Sequence, residues 1–170
     1  VRLSDMNRAK IQFVTGIVAN QYNVGDIQIA QFTGLTSDQF AEYYKQLTDE
    51  GMTSLIVDLR NNPGGLLDSV VDTLRQILPE GMIVYTQTKD GTKKEYTCDG
   101  ETPISIPLVV LVNENSASAS EIFAGAVHDH EIATLVGTKT FGKGIVQQTF
   151  PFTDGSAIKM TIAKYYTPNG

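Results

Sequence analysis

The sequence predicts an α/β fold, a layered core with a largely parallel central sheet flanked by helices. Three observations carry this expectation. Two short apolar runs, SLIVDL (54–59) and PLVVLVN (107–113), have the length and branched-residue content of buried strands. Each leads into a segment of helical character. Each also ends in a polar turn, RNNPGG and NENSAS, at the place where open α/β sheets hold their ligands.

The elements follow in order. Residues 11–18 are apolar and rich in β-formers, and residues 24–30 alternate like a half-buried strand. Thr36, Ser37 and Asp38 offer N-cap chemistry for a helix over about 38–50, with Phe40, Tyr43, Tyr44 and Leu47 on one face and Gly51 ending it. SLIVDL is a strand, RNNPGG a turn, and 67–78 a second helix stopped by Pro79. Residues 82–88 and 93–97 flank Asp90-Gly91 and read as a hairpin. PLVVLVN is another strand, and the small-residue segment 116–129 is helical. Residues 133–137 and 145–150 are strands, and Asp154-Gly155 turns the chain into a last strand over 157–166. No internal repeat, low-complexity segment or linker interrupts the pattern.

Bulk properties narrow the function. The 170 residues suit a single domain with a sizeable core, and 41% hydrophobic with 19% charged residues is ordinary for a globular chain. A net charge of -6 lends no support to nucleic-acid binding. One cysteine, Cys98, allows neither an intrachain disulfide nor a cysteine zinc site. No apolar run is long enough to span a bilayer, and the N-terminus lacks a signal-peptide pattern.

The stretch GTKTFGKG (137–144) comes close to a phosphate-binding loop. It has Gly144 where the Mg²⁺-binding hydroxyl belongs, and a strand-like segment where a helix should receive the phosphate. No nucleotide is therefore expected, and Lys143 is either a surface charge or the partner of a group elsewhere. That group is sought in NENSASASE. A serine at this strand-to-helix junction is exposed at the sheet edge, with a helix N-terminus to hold an oxyanion. The same serines could be caps: Ser118 with Glu121 three residues on is a capping-box pattern. A nucleophile would need a base. His128 lies ten residues past Ser118 on the same helix, about 15 Å away at the helical rise, and His130 faces another side. They are too few and badly spaced for a metal. A Ser-His-Asp triad is thus disfavoured, which leaves a Ser-Lys dyad with Lys143, held between Gly142 and Gly144.

These segments together resemble the carboxyl-terminal processing peptidases, or tail-specific proteases. The resemblance runs through residues 24–32, SLIVDLRNNPGG, LVVLVNENSASASEIFAGA, VGTKTFGKGIVQQTF and YYTPNG, in the family's order and over most of the chain. It implies a crotonase/Clp-protease-like core and a serine endopeptidase that cuts polypeptides near their C-termini. Ser118 would be the nucleophile, Lys143 the base and Gln147 the residue orienting the lysine; positions 143 and 147 share a face if both lie in a strand. The oxyanion donors would be the backbone N–H groups of Ala119 and of Gly64 or Gly65, glycine there allowing close backbone approach. No cofactor or metal is implied, and the partner is a polypeptide, not a nucleic acid or nucleotide. The family resemblance also implies an extracytoplasmic setting: periplasmic, membrane-anchored or secreted.

Members usually carry a PDZ domain ahead of the core and continue beyond it. Residues 1–170 therefore read as a single, incomplete peptidase core without the PDZ domain or C-terminal extension. Asp26 stands where an aromatic residue is common. Two rival readings are a catalytically silent peptide-binding module of the same fold and a crotonase-type acyl-CoA enzyme; only fold analogy suggests the latter.

Overall fold

A computed structural model describes residues 11–12 and 23–170. In chain order the elements are β1 (Ile11–Gln12), β2 (Val24–Ile29), α1 (Thr36–Asp49), β3 (Ser54–Asp58), α2 (Leu67–Leu74), β4 (Gly81–Thr88), β5 (Lys93–Cys98), β6 (Leu108–Val112), α3 (Ala119–Asp129), β7 (Ala133–Gly137), β8 (Ile145–Pro151) and β9 (Ala157–Tyr166). Of the expected strand over 11–18, residues 13–18 lie outside the described residues.

The central sheet has the order β1-β2-β3-β6-β7. The pairs β2–β3, β3–β6 and β6–β7 are parallel, and β1 joins β2 antiparallel. The register aligns Ile27 with Val57 and Val57 with Val110. Ile27, Leu55, Val57, Leu108 and Val110 therefore share one face and are buried in the core. Phe40, Val70, Leu74, Ile122, Phe123 and Val127 from the helices complete that core. The opposite face is half-buried and carries Asp26, Ile56 and Val109.

A second, antiparallel sheet has the order β5-β4-β9-β8. The expected hairpin β4–β5 and the last two strands are present, but the sequence pattern did not foresee that they join. The pairing of Tyr85 with Tyr166 and of Thr86 with Tyr165 brings the chain's end back beside β4. This sheet matters for the site, because β8 and β9 supply one wall of the cleft.

Three boundaries differ from expectation for physical reasons. No side chain caps α1 at its N-cap, Leu35; the Thr36 hydroxyl is buried and instead serves Thr33 N–H and the Gln31 carbonyl. Helix α2 stops at Leu74, not at Pro79. The Ile77 and Leu78 N–H groups both turn back to the Leu74 carbonyl, and both side chains are fully buried. Helix α3 begins at Ala119, because residues 113–118 form a tight turn that the site requires.

Candidate active site

The turn after β6 separates three serines that alternate along the chain. Ser116 Oγ donates to the Leu59 carbonyl at 2.8 Å, and Ser120 Oγ donates to the Asn62 carbonyl at 3.0 Å. Both residues are fully buried. Ser118 alone is half-exposed. Its backbone stands at φ 56 and ψ -113, a conformation that L-residues rarely adopt, so strain is held at this residue. Ser118 is the N-cap of α3 and makes with Glu121 the capping box that the sequence offered. The Ser118 N–H donates to Glu121 Oε2 at 2.8 Å, and the Glu121 N–H donates to the Ser118 carbonyl at 2.9 Å. The two readings that the sequence left open are not exclusive: Ser118 takes part in the capping box and also lines the cleft.

The turn after β3 lies against this one. Asp58, buried at the end of β3, accepts from the Arg60 backbone N–H at 2.9 Å and from the Arg60 guanidinium at 2.7 Å. Asn62 is fully buried and ties the turn in place. Its Nδ2 donates to the Ile29 carbonyl at 2.7 Å, its Oδ1 accepts from Gly64 N–H at 2.8 Å, and its carbonyl accepts from Ala117 N–H at 3.0 Å. The Gly64 N–H is therefore already committed. The Gly65 N–H makes no such bond, and Ala119 opens α3, where the first N–H groups have no helical acceptor. The close approach that these glycines permit is to the protein's own backbone. A Cβ on Gly64 would lie 2.7 Å from Ser118 Cβ and 2.6 Å from the Ala117 carbonyl oxygen. One on Gly65 would collide with the Phe32 carbonyl.

The lysine loop packs on the same turn. Phe141 N–H donates to the Ser116 carbonyl at 3.0 Å, and Gly142 takes a φ of 88° that favours glycine. Lys143 is half-buried and precedes β8, which starts at Ile145. The strand parity expected for positions 143 and 147 does not apply, because a register shift between Val146 and Gln147 also interrupts β8. Phe141 is 68% exposed, so it does not wall in the lysine. Among the described residues no carboxylate forms an ion pair with Lys143.

These segments meet in one cleft of about 430 Å³. Its lining includes Gly64, Gly65, Ser118, Ala119, Lys143 and Gln147, all six residues singled out from the sequence. Ser118 and Lys143 face the same space without a direct hydrogen bond between their side chains. Leu66, Leu67, Ile122, Ile145 and Val146 give the walls apolar surface, and Gln31, Lys159 and Tyr165 add polar groups beside it. His128 is exposed beside Asp129, and His130 bonds the Met82 carbonyl at 2.7 Å, so neither lines the cleft. Sequence reasoning missed Asn62 and Tyr165, whose hydroxyl donates to the Lys143 carbonyl. The polar residue in a glycine turn was a signal for Asn62. Nothing local marks Tyr165.

The fold defines the class first, that of a serine peptidase core. It matches the solved structure of a photosystem II D1 C-terminal processing protease with a TM-score of 0.80 at 35% identity, over 96% of this chain and 42% of that one. The family follows from the sequence. The model of peptidase family S41 matches residues 23–170, and this chain belongs to that family. A carboxyl-terminal-processing protease of Synechocystis sp. is 50% identical over 146 residues, 86% of this chain and 34% of its own length. The carboxy-terminal processing protease CtpA of Bacillus subtilis is 38% identical over 149 residues, 87% of this chain and 32% of its own length. The chain spans about a third of the length of these curated relatives.

Proposed function

We propose that the whole protein is an endopeptidase that cuts polypeptides near their C-termini through a Ser118/Lys143 dyad. One observation carries this reading: the only half-exposed serine of the SASAS turn, held in a strained backbone conformation, shares a cleft with Lys143 and Gln147. In its neutral form the Lys143 amine takes the Ser118 proton as Oγ attacks the scissile carbonyl. The resulting oxyanion is held by the N–H groups of Ala119 and Gly65, with the positive end of α3 behind it. The lysine then hands its proton to the leaving amine, and water releases the acyl group by the same route. Gln147 orients the amine without adding a negative charge that would retain the proton.

The alternative is a silent peptide-binding module, favoured by the absent Ser118–Lys143 hydrogen bond. Such contacts are often long in unliganded enzymes and tighten only with substrate. A fluorophosphonate probe on the full-length protein separates the two. Stoichiometric labelling that disappears in Ser118→Ala and in Lys143→Ala supports the peptidase. A folded full-length protein that takes no label, and hydrolyses no peptide, leaves the silent module.

A further inference from the structure

We propose that Glu121 and Tyr165 form a bracket that positions Lys143 against Ser118, making both positioning residues for the reaction; this rests on the dyad reading above. The Glu121 carboxylate joins two segments that are distant in the sequence. On the nucleophile side, Oε2 accepts from Ser118 N–H at 2.8 Å. On the lysine side, Oε2 accepts from Lys143 N–H at 2.9 Å, while Oε1 accepts from Gly142 N–H at 2.6 Å and from Thr140 Oγ1 at 2.9 Å. An ionised carboxylate accepts only and has about four lone-pair sites. Here four close donors converge on it, three of them backbone N–H groups whose carriers cannot move independently, and the Tyr165 hydroxyl lies 3.5 Å from Oε2.

Tyr165 closes the bracket from β9. Its hydroxyl donates to the Lys143 carbonyl and lies 3.3 Å from the Ser118 carbonyl, and its own N–H donates to the Gly144 carbonyl at 3.1 Å. Burial first, and then the nearby Glu121 charge and hydrogen bond, push the phenol's ionisation up, so the hydroxyl remains a donor. Both backbone groups of Lys143 are thereby held, its N–H by Glu121 and its carbonyl by Tyr165. The side chain stays free to meet the serine. The bracket also takes the Ser118 N–H out of the oxyanion site, which leaves Ala119 as the first free donor of α3. Carboxamide in place of carboxylate at 121 would offer one acceptor oxygen and turn an NH₂ group toward N–H donors.

The test uses the full-length protein, with Ser118→Ala and Lys143→Ala as controls for the dyad. Peptide kinetics and the rate of fluorophosphonate labelling are measured for Glu121→Gln, Tyr165→Phe and the double variant, at a temperature where circular dichroism shows each to be folded. A displaced base costs turnover and leaves ground-state binding alone. A misplacement of about 1 Å can cost on the order of 10²-fold, so Glu121→Gln should lose kcat on that scale with KM unchanged. Tyr165→Phe should show a smaller loss of the same kind, and the double variant should fall short of the product of the two. Should Glu121→Gln not fold, Tyr165→Phe decides alone. Wild-type kcat in a folded variant, or losses that follow the folded fraction, overturns the bracket while inactive controls keep the dyad. Turnover in Lys143→Ala overturns the dyad itself, and the bracket with it.

Discussion

Ser116, Ser118 and Ser120 stand two positions apart along the chain and occupy three environments. Only Ser118 faces the cleft, so Ser118→Ala should abolish peptide hydrolysis by the full-length protein. Ser116→Ala and Ser120→Ala should act differently. Each removes one of two donors to a carbonyl between the two turns, since the Leu59 carbonyl keeps Asn62 N–H and the Asn62 carbonyl keeps Ala117 N–H, which costs about 0.5–1.5 kcal/mol. Their melting temperatures should drop by roughly 2–4 °C for each kcal/mol lost, with much of the turnover kept. Equal loss of activity in three folded variants would contradict the assignment. Lys143 provides the second residue-scale test. An arginine keeps the charge and cannot act as a base, so Lys143→Arg should be as inactive as Lys143→Ala, and substantial turnover would remove the lysine from the mechanism.

At the scale of elements, the site depends on turns joining strands to helices, and the glycines in them are not equivalent. Gly65 has its Cα turned against the Phe32 backbone, so an added methyl must displace either the β3–α2 turn or the segment after β2. At Gly142 an added Cβ would meet open space, so only the φ of 88° calls for glycine there. A left-handed conformation costs an L-residue about 1–2 kcal/mol. Gly142→Ala should therefore lower stability by about that amount, whereas Gly65→Ala should lower it further and impair turnover as well. Urea unfolding of the two variants, with m-values compared, checks the order. A Gly65→Ala protein of wild-type stability would show that the turn is looser than its contacts indicate.

For the molecule as a whole, one core joins the central sheet to the helices. Phe123 is fully buried, with its ring 6.3 Å from that of Phe32. Truncating such a side chain costs about 3–5 kcal/mol, so Phe123→Ala should destabilise the entire fold and lower the thermal midpoint measured by calorimetry. Asp26 acts on stability through pH. Burial first, and then repulsion from Asp58, raise its carboxyl pKa, with Arg60 opposing the shift. One of its carboxylate oxygens, Oδ1, is buried with no hydrogen-bond partner among the described residues. Above the unfolded carboxyl pKa of about 3.9, the folded state still holds a proton that the unfolded state has released. Stability is therefore lost as pH rises through that window toward the raised folded value. Asp26→Asn escapes this loss. Its stability relative to the wild type should increase from pH 3 to neutrality, and a difference that does not vary with pH would exclude Asp26 as the cause.

The sequence by itself determined the strands, their parallel arrangement around two functional turns, and the family whose motifs those turns carry. These are local properties: side-chain period, turn chemistry and residue order act over a few positions. Six residues lining the cleft were legible for the same reason, since each belongs to a short motif. Tertiary structure alone decided the rest. That β4 and β9 pair, and so bring Tyr165 to the lysine loop, depends on strand registers that no local pattern encodes. The separate fates of Ser116, Ser118 and Ser120 follow from which carbonyls of the β3–α2 turn stand opposite them. Glu121 read as half of a capping box, and within three residues that is what it is. Its further bonds arise because a carboxylate with four lone pairs meets a second segment that presents the Thr140 hydroxyl and the Gly142 and Lys143 N–H groups.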